Sequence, residues 1–211
     1  MTNTLTQSSQ EELTHDAALG FALPELNARG RLVRLNNSLQ MILSNYDYPP
    51  QVKRILAEAL VLVGLIGSML KEASGQVTIQ AQTPNQGPAN NSAISLLVVD
   101  YLDGQLRGYA QYDKDLLALL PDQPLLEEMF CGGYLAITID NSHNKTRYQG
   151  IVELKGSSLA AAAEAYFAQS EQVPTMGRIA VETDGAVGGE AIAAGGLLLQ
   201  YLPEGEEARL Q

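Results

Sequence analysis

The sequence predicts an α+β fold in which one apolar helix is buried against sheet, and three observations carry that expectation. From Ile55 to Leu70 the only charged residue is Glu58, so this helix is apolar nearly all round and must be covered on more than one side. The chain after it alternates apolar and polar residues with the period of strands, most cleanly in QVTIQAQ, Gln76 to Gln82. Strands and helices are interleaved without regular βαβ spacing, which argues against a parallel doubly wound sheet.

Element by element, the opening MTNTLTQSSQEELTHDAALG is polar and acidic. Without the basic start and apolar centre of a signal peptide, it is expected to be a flexible arm spanning residues 1–28. Ser8-Ser9-Gln10-Glu11 within it has the spacing of a capping box. After Arg29-Gly30, RLVRL reads as a first strand with Leu32 and Arg34 on one face. Asn36 and Asn37 offer N-caps for a helix carrying Leu39, Ile42 and Leu43 on one side. Asp47-Tyr48-Pro49-Pro50 interrupts it, and proline suits the first turn of the next helix. That helix is expected from about Pro50 to Lys71, its polar fringe at Gln51, Lys53 and Arg54 and at Lys71-Glu72 marking where it meets water. Gly64 and Gly67 each cost about 1 kcal/mol of helix propensity relative to Ala, so both predict a close backbone approach to a covering element.

Beyond the polar TPNQGPANN, SLLVVDYL and QLRGYAQY form a hairpin about Asp103-Gly104. Leucine clusters broken by Pro121 and Pro124 predict short helices or turns over Asp113 to Met129. YLAITID and RYQGIVEL flank NSHNKT as a second hairpin. Gly156-Ser157-Ser158 caps a helix through SLAAAAEAYFAQSEQ, which Pro174 ends. RIAVET and AGGLLLQYLP supply two last strands.

Composition narrows function. Thirteen Lys and Arg against 24 Asp and Glu leave a net charge of -11, which argues against nucleic acid, since binders of phosphate backbones rely on clustered cations. The most apolar charge-free run, Ala59 to Leu70, is far below the roughly 20 apolar residues of a spanning helix, so no membrane partner is expected. A single cysteine excludes an internal disulfide and favours a reducing, cytoplasmic setting.

Candidate chemistry is thin. His15 falls in the arm and His143 in a polar hairpin tip, where little burial would tune a general base. Cys131 precedes Gly132-Gly133 with no Lys, Arg or His close by in sequence to lower its pKa, and is expected to be a buried, inert small hydrophobe. One cysteine and two remote histidines do not make a zinc site. Asp184 to Gly189 is glycine-rich but lacks the spacing of a nucleotide loop, and reads as a turn. The sequons at Asn90 and Asn144 need a secretory route that the N-terminus does not offer. No catalytic, cofactor-binding or metal residue is therefore assigned, no enzyme is expected, and a binding function is the default.

Several long segments together resemble one family, the redox-regulated bacterial heat-shock chaperones known as the 33 kDa chaperonin. They are Arg29-Gly30, NYDYPPQVKRILAEALVLVGLIGSMLK, GQLRGYAQY, GGYLAITID with RYQGIVELKGSSLAAAAEAYFAQSEQVPT, and AAGGLLLQYLP. The resemblance runs from Arg29 to Pro203 in family order, and Tyr148-Gln149-Gly150 and Ser170-Glu171-Gln172 match fold-defining phrases. It implies a three-layer β/α/β sandwich with a buried helix over residues 29–203. It also implies a cytoplasmic, ATP-independent holdase that binds unfolding client proteins under oxidative and heat stress. No catalytic role comes with it, and the client-binding residues stay unassigned. Family members continue through a linker into a CxC and CxxC zinc module that forms disulfides on oxidation. Here residues 204–211, EGEEARLQ, read as the start of that linker, and none of the four cysteines is present. The chain is thus expected to take no cofactor itself, zinc belonging to the module of full-length members. A piece of a longer protein and a natural short form both stay open. The alternative function is a structural or regulatory domain whose apolar surface is a permanent homodimer interface.

Overall fold

The structure, a computed structural model, describes residues 15–70, 75–83, 91–141, 146–183 and 191–202. The Ser8–Glu11 match, His143, the Asn90 and Asn144 acceptors, the Asp184–Gly189 loop and residues 204–211 lie outside them. In chain order the elements are β1 (Ala17–Leu23), a 3-10 turn (Pro24–Leu26), β2 (Ala28–Leu35), α1 (Asn37–Leu43), α2 (Pro50–Gly67), β3 (Gly75–Gln82), β4 (Ile94–Leu102) and β5 (Gln105–Tyr112). There follow α3 (Lys114–Leu117), α4 (Leu126–Phe130), β6 (Tyr134–Asn141), β7 (Thr146–Glu153), α5 (Leu159–Tyr166) with a π turn (Phe167–Glu171), β8 (Thr175–Thr183) and β9 (Ala191–Tyr201).

Two antiparallel sheets form, one of four strands in the order β1-β2-β9-β8 and one of five in the order β5-β4-β3-β6-β7. Between them lies α2, whose residues from Ala59 to Gly67 are all buried, as its lack of charge requires. On one side Val61 and Leu65 press on Gly196 of β9, where a methyl group would stand 2.7 Å from Val61 Cγ1. On the other, Leu56 and Leu60 approach Gly108 of β5. Gly67 faces the Tyr101 ring, 2.2 Å from where a Cβ would sit, so its missing side chain is a steric necessity. Gly64 is not so constrained: a methyl there would make an ordinary 3.4 Å contact with Val33.

The hairpin at Asp103-Gly104 has positive φ at both residues, 49° and 76°, the geometry that two-residue hairpin turns demand. Ser158 caps α5, its Oγ accepting from the Ala161 amide at 3.3 Å. The two phrases that resembled family signatures meet here. Gly150 lies against the Tyr166 ring, Tyr148 donates to the Ser170 carbonyl at 3.2 Å, and Tyr166 donates to Glu171 at 3.3 Å.

Three expectations are corrected. Residues 17–28 are not a flexible arm, because β1 pairs with β2 along seven residues and the core sheet begins at Ala17. Leu32 and Arg34 do share one face of β2, the outer one: Val33 and Leu35 face the core, and Leu32 is 42% exposed. The core helix ends at Gly67 and not at Lys71, tapering through i→i+3 bonds at Met69 and Leu70 while Arg31 donates to the Ser68 carbonyl at 3.1 Å. A cation at that end complements the helix dipole. Lastly, the Asn36 side chain does not cap α1. Asp16 does, its carboxylate accepting from the Asn36 amide at 2.6 Å and the Ser38 amide at 2.9 Å.

Partial burial works against the Asp16 charge, but the amides of Asn36, Ser38 and Asn37 and the Ser38 hydroxyl outweigh it and lower its pKa. A lowered carboxylate pKa contributes stability above the ordinary aspartate value and loses it as pH falls through the lowered one. Asp16→Ala is expected to cost about 1 kcal/mol at neutral pH, a fall of about 2–4 °C in Tm for a chain of this size. The gap from the parent closes in melts below the lowered pKa.

Candidate functional site

The two sheets differ in what they turn outward. On the five-stranded sheet the outer positions of β3 are Gln76, Thr78, Gln80 and Gln82, and polar partners meet across the strands. Thr78 donates to Asp100 at 2.6 Å, Arg107 pairs with Asp100 at 3.1 Å, and Gln149 donates to Thr138 at 2.8 Å. Arg147 grips both carboxylate oxygens of Asp140, at 2.7 and 2.9 Å, and this hydrogen-bonded cation lowers the Asp140 pKa. Leu102, Tyr109 and Ile151 are exposed on this face too, set among these polar pairs.

The outer face of the four-stranded sheet is apolar. Register sets Leu19 opposite Leu32 and Leu32 opposite Leu197 in one row. In the next, Phe21 lies opposite Gly30, Gly30 opposite Leu199 and Leu199 opposite Met176. A third joins Leu23, Ala28 and Tyr201. Leu19 is 60% exposed, Tyr201 46% and Met176 39%. The Phe21 ring covers Gly30, where a methyl group would stand 2.1 Å from Cζ. Arg34 and Arg178 share this face by register, next to Gly195 and Leu197, and Arg178 is tied to Glu164 at 3.0 Å. A contiguous apolar surface with charges around it is the mark of a protein interaction site. Sequence reasoning left it unassigned. The available signal was the alternation of Leu19, Phe21 and Leu23, which fell in the supposed arm, and of Leu197, Leu199 and Tyr201.

The residues weighed for chemistry are not brought together. His15 is exposed. Cys131, expected to be buried, is exposed: it ends α4 in the left-handed conformation at φ 46°, which turns its side chain out of the core, with Sγ 3.5 Å from the Asn91 carbonyl. Among the described residues no three of His, Cys, Asp and Glu are grouped to hold a metal ion. None of the described helices is long and apolar enough to cross a membrane.

Glu58, the one charged residue of the core helix after Arg54, lines a cavity of about 260 Å³ with Gln51, Arg54, Asp122 and Ser157. Burial raises its pKa, opposed by a hydrogen bond from the Leu159 amide and by Arg54. Its Oε2 is buried and accepts no hydrogen bond. A raised carboxyl pKa means that the native state holds the proton more tightly, so stability falls as pH rises above the ordinary glutamate value of 4.5. Glu58→Gln, which keeps an oxygen for the Leu159 amide, is expected to melt at or above the parent at neutral pH. Its Tm should also depend less on pH across that window; a Tm several degrees lower at neutral pH contradicts the assignment.

Comparison with known proteins places these features. Residues 16–211 match the family model described as Hsp33 protein. The 33 kDa chaperonin of Caulobacter vibrioides (strain NA1000 / CB15N) is 38% identical over 198 residues, 92% of this chain and 63% of its own length. That of Yersinia pestis (strain Pestoides F) is 40% identical over 193 residues, 91% of this chain and 60% of its own. The crystal structure of the 33 kDa chaperonin from Thermotoga maritima shares the fold, with a TM-score of 0.72 at 23% identity over 89% of this chain and 61% of that one. The chain therefore spans less than two thirds of the length of these relatives.

Proposed function

Because the chain belongs to the Hsp33 family, we propose that it is an ATP-independent holdase that captures unfolding proteins on the outer face of its four-stranded sheet. One observation carries this reading: Leu19, Phe21, Leu23, Leu32, Met176 and Tyr201 stand exposed on or around a single sheet face. Unfolding clients expose apolar segments of their own, and removing both surfaces from water supplies the attraction without a nucleotide. The net charge of -11 keeps a protein with such a face dispersed. In this reading the protein is non-catalytic and works in the cytoplasm.

The reading has two corollaries. The chain takes no zinc, so metal analysis of untagged protein should find far less than one equivalent, and stoichiometric zinc contradicts it. Binding by this face also needs no oxidant, since burial of apolar surface involves no change in any thiol. The test is heat-induced light scattering of a client alone, with the protein under reductant, and with the protein after peroxide, all without ATP. Equal suppression in both treated samples supports the proposal. Protection only after peroxide contradicts it and places a switch on Cys131. If neither sample protects and sedimentation shows a stable dimer, the apolar face is an interface between copies.

A further inference from the structure

A second surface, at the open edge of the five-stranded sheet, has different chemistry. Tyr46 and Tyr48 in the loop between α1 and α2 meet Tyr109 and Tyr112 of edge strand β5 around a cleft of about 270 Å³, with Asp47 in its wall. The Tyr46 ring lies 5.3 Å from Tyr48 and 5.5 Å from Tyr109, the second contact edge-to-face, and Tyr48 meets Tyr112 at 6.1 Å. The frame is held by hydrogen bonds. Tyr48 Oη accepts from the Ala110 amide at 3.0 Å and Tyr112 donates to the Asp47 carbonyl at 3.3 Å. Tyr48 is thereby buried, whereas Tyr46 is 50% exposed and Tyr109 38%. No lysine or arginine lines the cleft.

We propose that this cleft binds a lysine or arginine side chain of an extended polypeptide, the cationic head lying against Tyr46 and Tyr109 beside Asp47. Ring faces carry the negative part of the aromatic quadrupole and attract a cation within about 6 Å, the attraction growing as the cation is desolvated. Several converging rings with an aspartate residue in the wall fit an ammonium or guanidinium group better than a neutral apolar one, and the chain's net charge of -11 draws cationic segments towards it. The cleft is open and borders the backbone of an edge strand at Ala110 and Gln111. An extended peptide can run past that edge while inserting one long side chain, which is why a polypeptide is the ligand assigned. The Tyr48 bond to Ala110 occupies one amide that strand addition would otherwise use, so the side chain and not a new ladder supplies the recognition. This surface is separate from the apolar sheet face and does not depend on the holdase reading.

The test uses amide NMR of the full chain titrated with a short extended peptide containing one lysine, with the same peptide bearing norleucine in its place, and with tetramethylammonium chloride. The expected result is saturable shifts confined to residues 46–48 and 109–112 for the lysine peptide, with binding weaker by about tenfold for the norleucine peptide. Tyr46→Leu, at an exposed position, should weaken the lysine peptide by a similar factor with an unchanged melt, and Asp47→Asn by less. Equal binding of the norleucine peptide overturns the proposal in favour of an unselective apolar patch. Tetramethylammonium binding as tightly as the peptide overturns the polypeptide assignment, and no shift at these residues overturns the site.

Discussion

Leu62→Asp is expected to yield no soluble folded protein. Leu62 is 1% exposed and Val63 fully buried, both on the helix that lies between the two sheets, so a carboxylate at either place has neither water nor a cation. An unpaired buried charge costs several kcal/mol even after it shifts its pKa and neutralises, and a whole domain is stable by only about 5–15 kcal/mol. Val63→Asp should behave alike. The comparison that isolates burial is Met41→Asp, on the solvent side of α1 where Met41 is 69% exposed, which should express and melt like the parent. The measurement is the soluble yield and the thermal melt of each variant. Parent-like melts for both core variants would mean that the helix is not the centre of the fold.

If the outer face of the four-stranded sheet holds clients, Leu19→Thr/Leu32→Thr is expected to leave the melt unchanged and weaken suppression of client aggregation. The two leucines face each other across the β1–β2 pair on the exposed side, and threonine keeps the β propensity of the strands. Complete burial of a leucine is worth about 1.5–3 kcal/mol. Losing part of that at two adjacent positions lowers client affinity by on the order of tenfold or more. Scattering curves at several protein-to-client ratios read the shift, with the melt measured in parallel. Undiminished protection would move client binding elsewhere on the molecule.

Much of this fold was legible because its strongest signals are local. A run with one charge in sixteen residues from Ile55 to Leu70 admits a buried helix and little else, Asp103-Gly104 supplies the positive φ of its turn, and Ser158 caps the helix that follows it. β1 was not legible because all seven of its residues are exposed. It owes its place to pairing with β2, which no pattern of burial advertises. Which face of β2 is buried was not legible because RLVRL carries apolar residues at both parities, and only the packing of Val33 against α2 decides between them. The candidate site was hidden for a related reason. Leu197, Leu198 and Leu199 read as one core run, yet Leu198 alone is buried among them, because the sandwich covers only one side of that sheet. Cys131 depended on a left-handed turn after a five-residue helix, a feature set by the neighbouring glycines and not by the thiol.

Whether clients bind the outer face of the four-stranded sheet is read directly by site-specific photocrosslinking. A photoreactive amino acid is placed at Leu32 in one sample and at Gln149, on the polar outer face of the other sheet, in a second. Each is irradiated with a thermally unfolding client under reductant. The account predicts client adducts from position 32 and few from position 149. Equal adducts from both positions, or none from position 32 while the protein still suppresses aggregation, would contradict it.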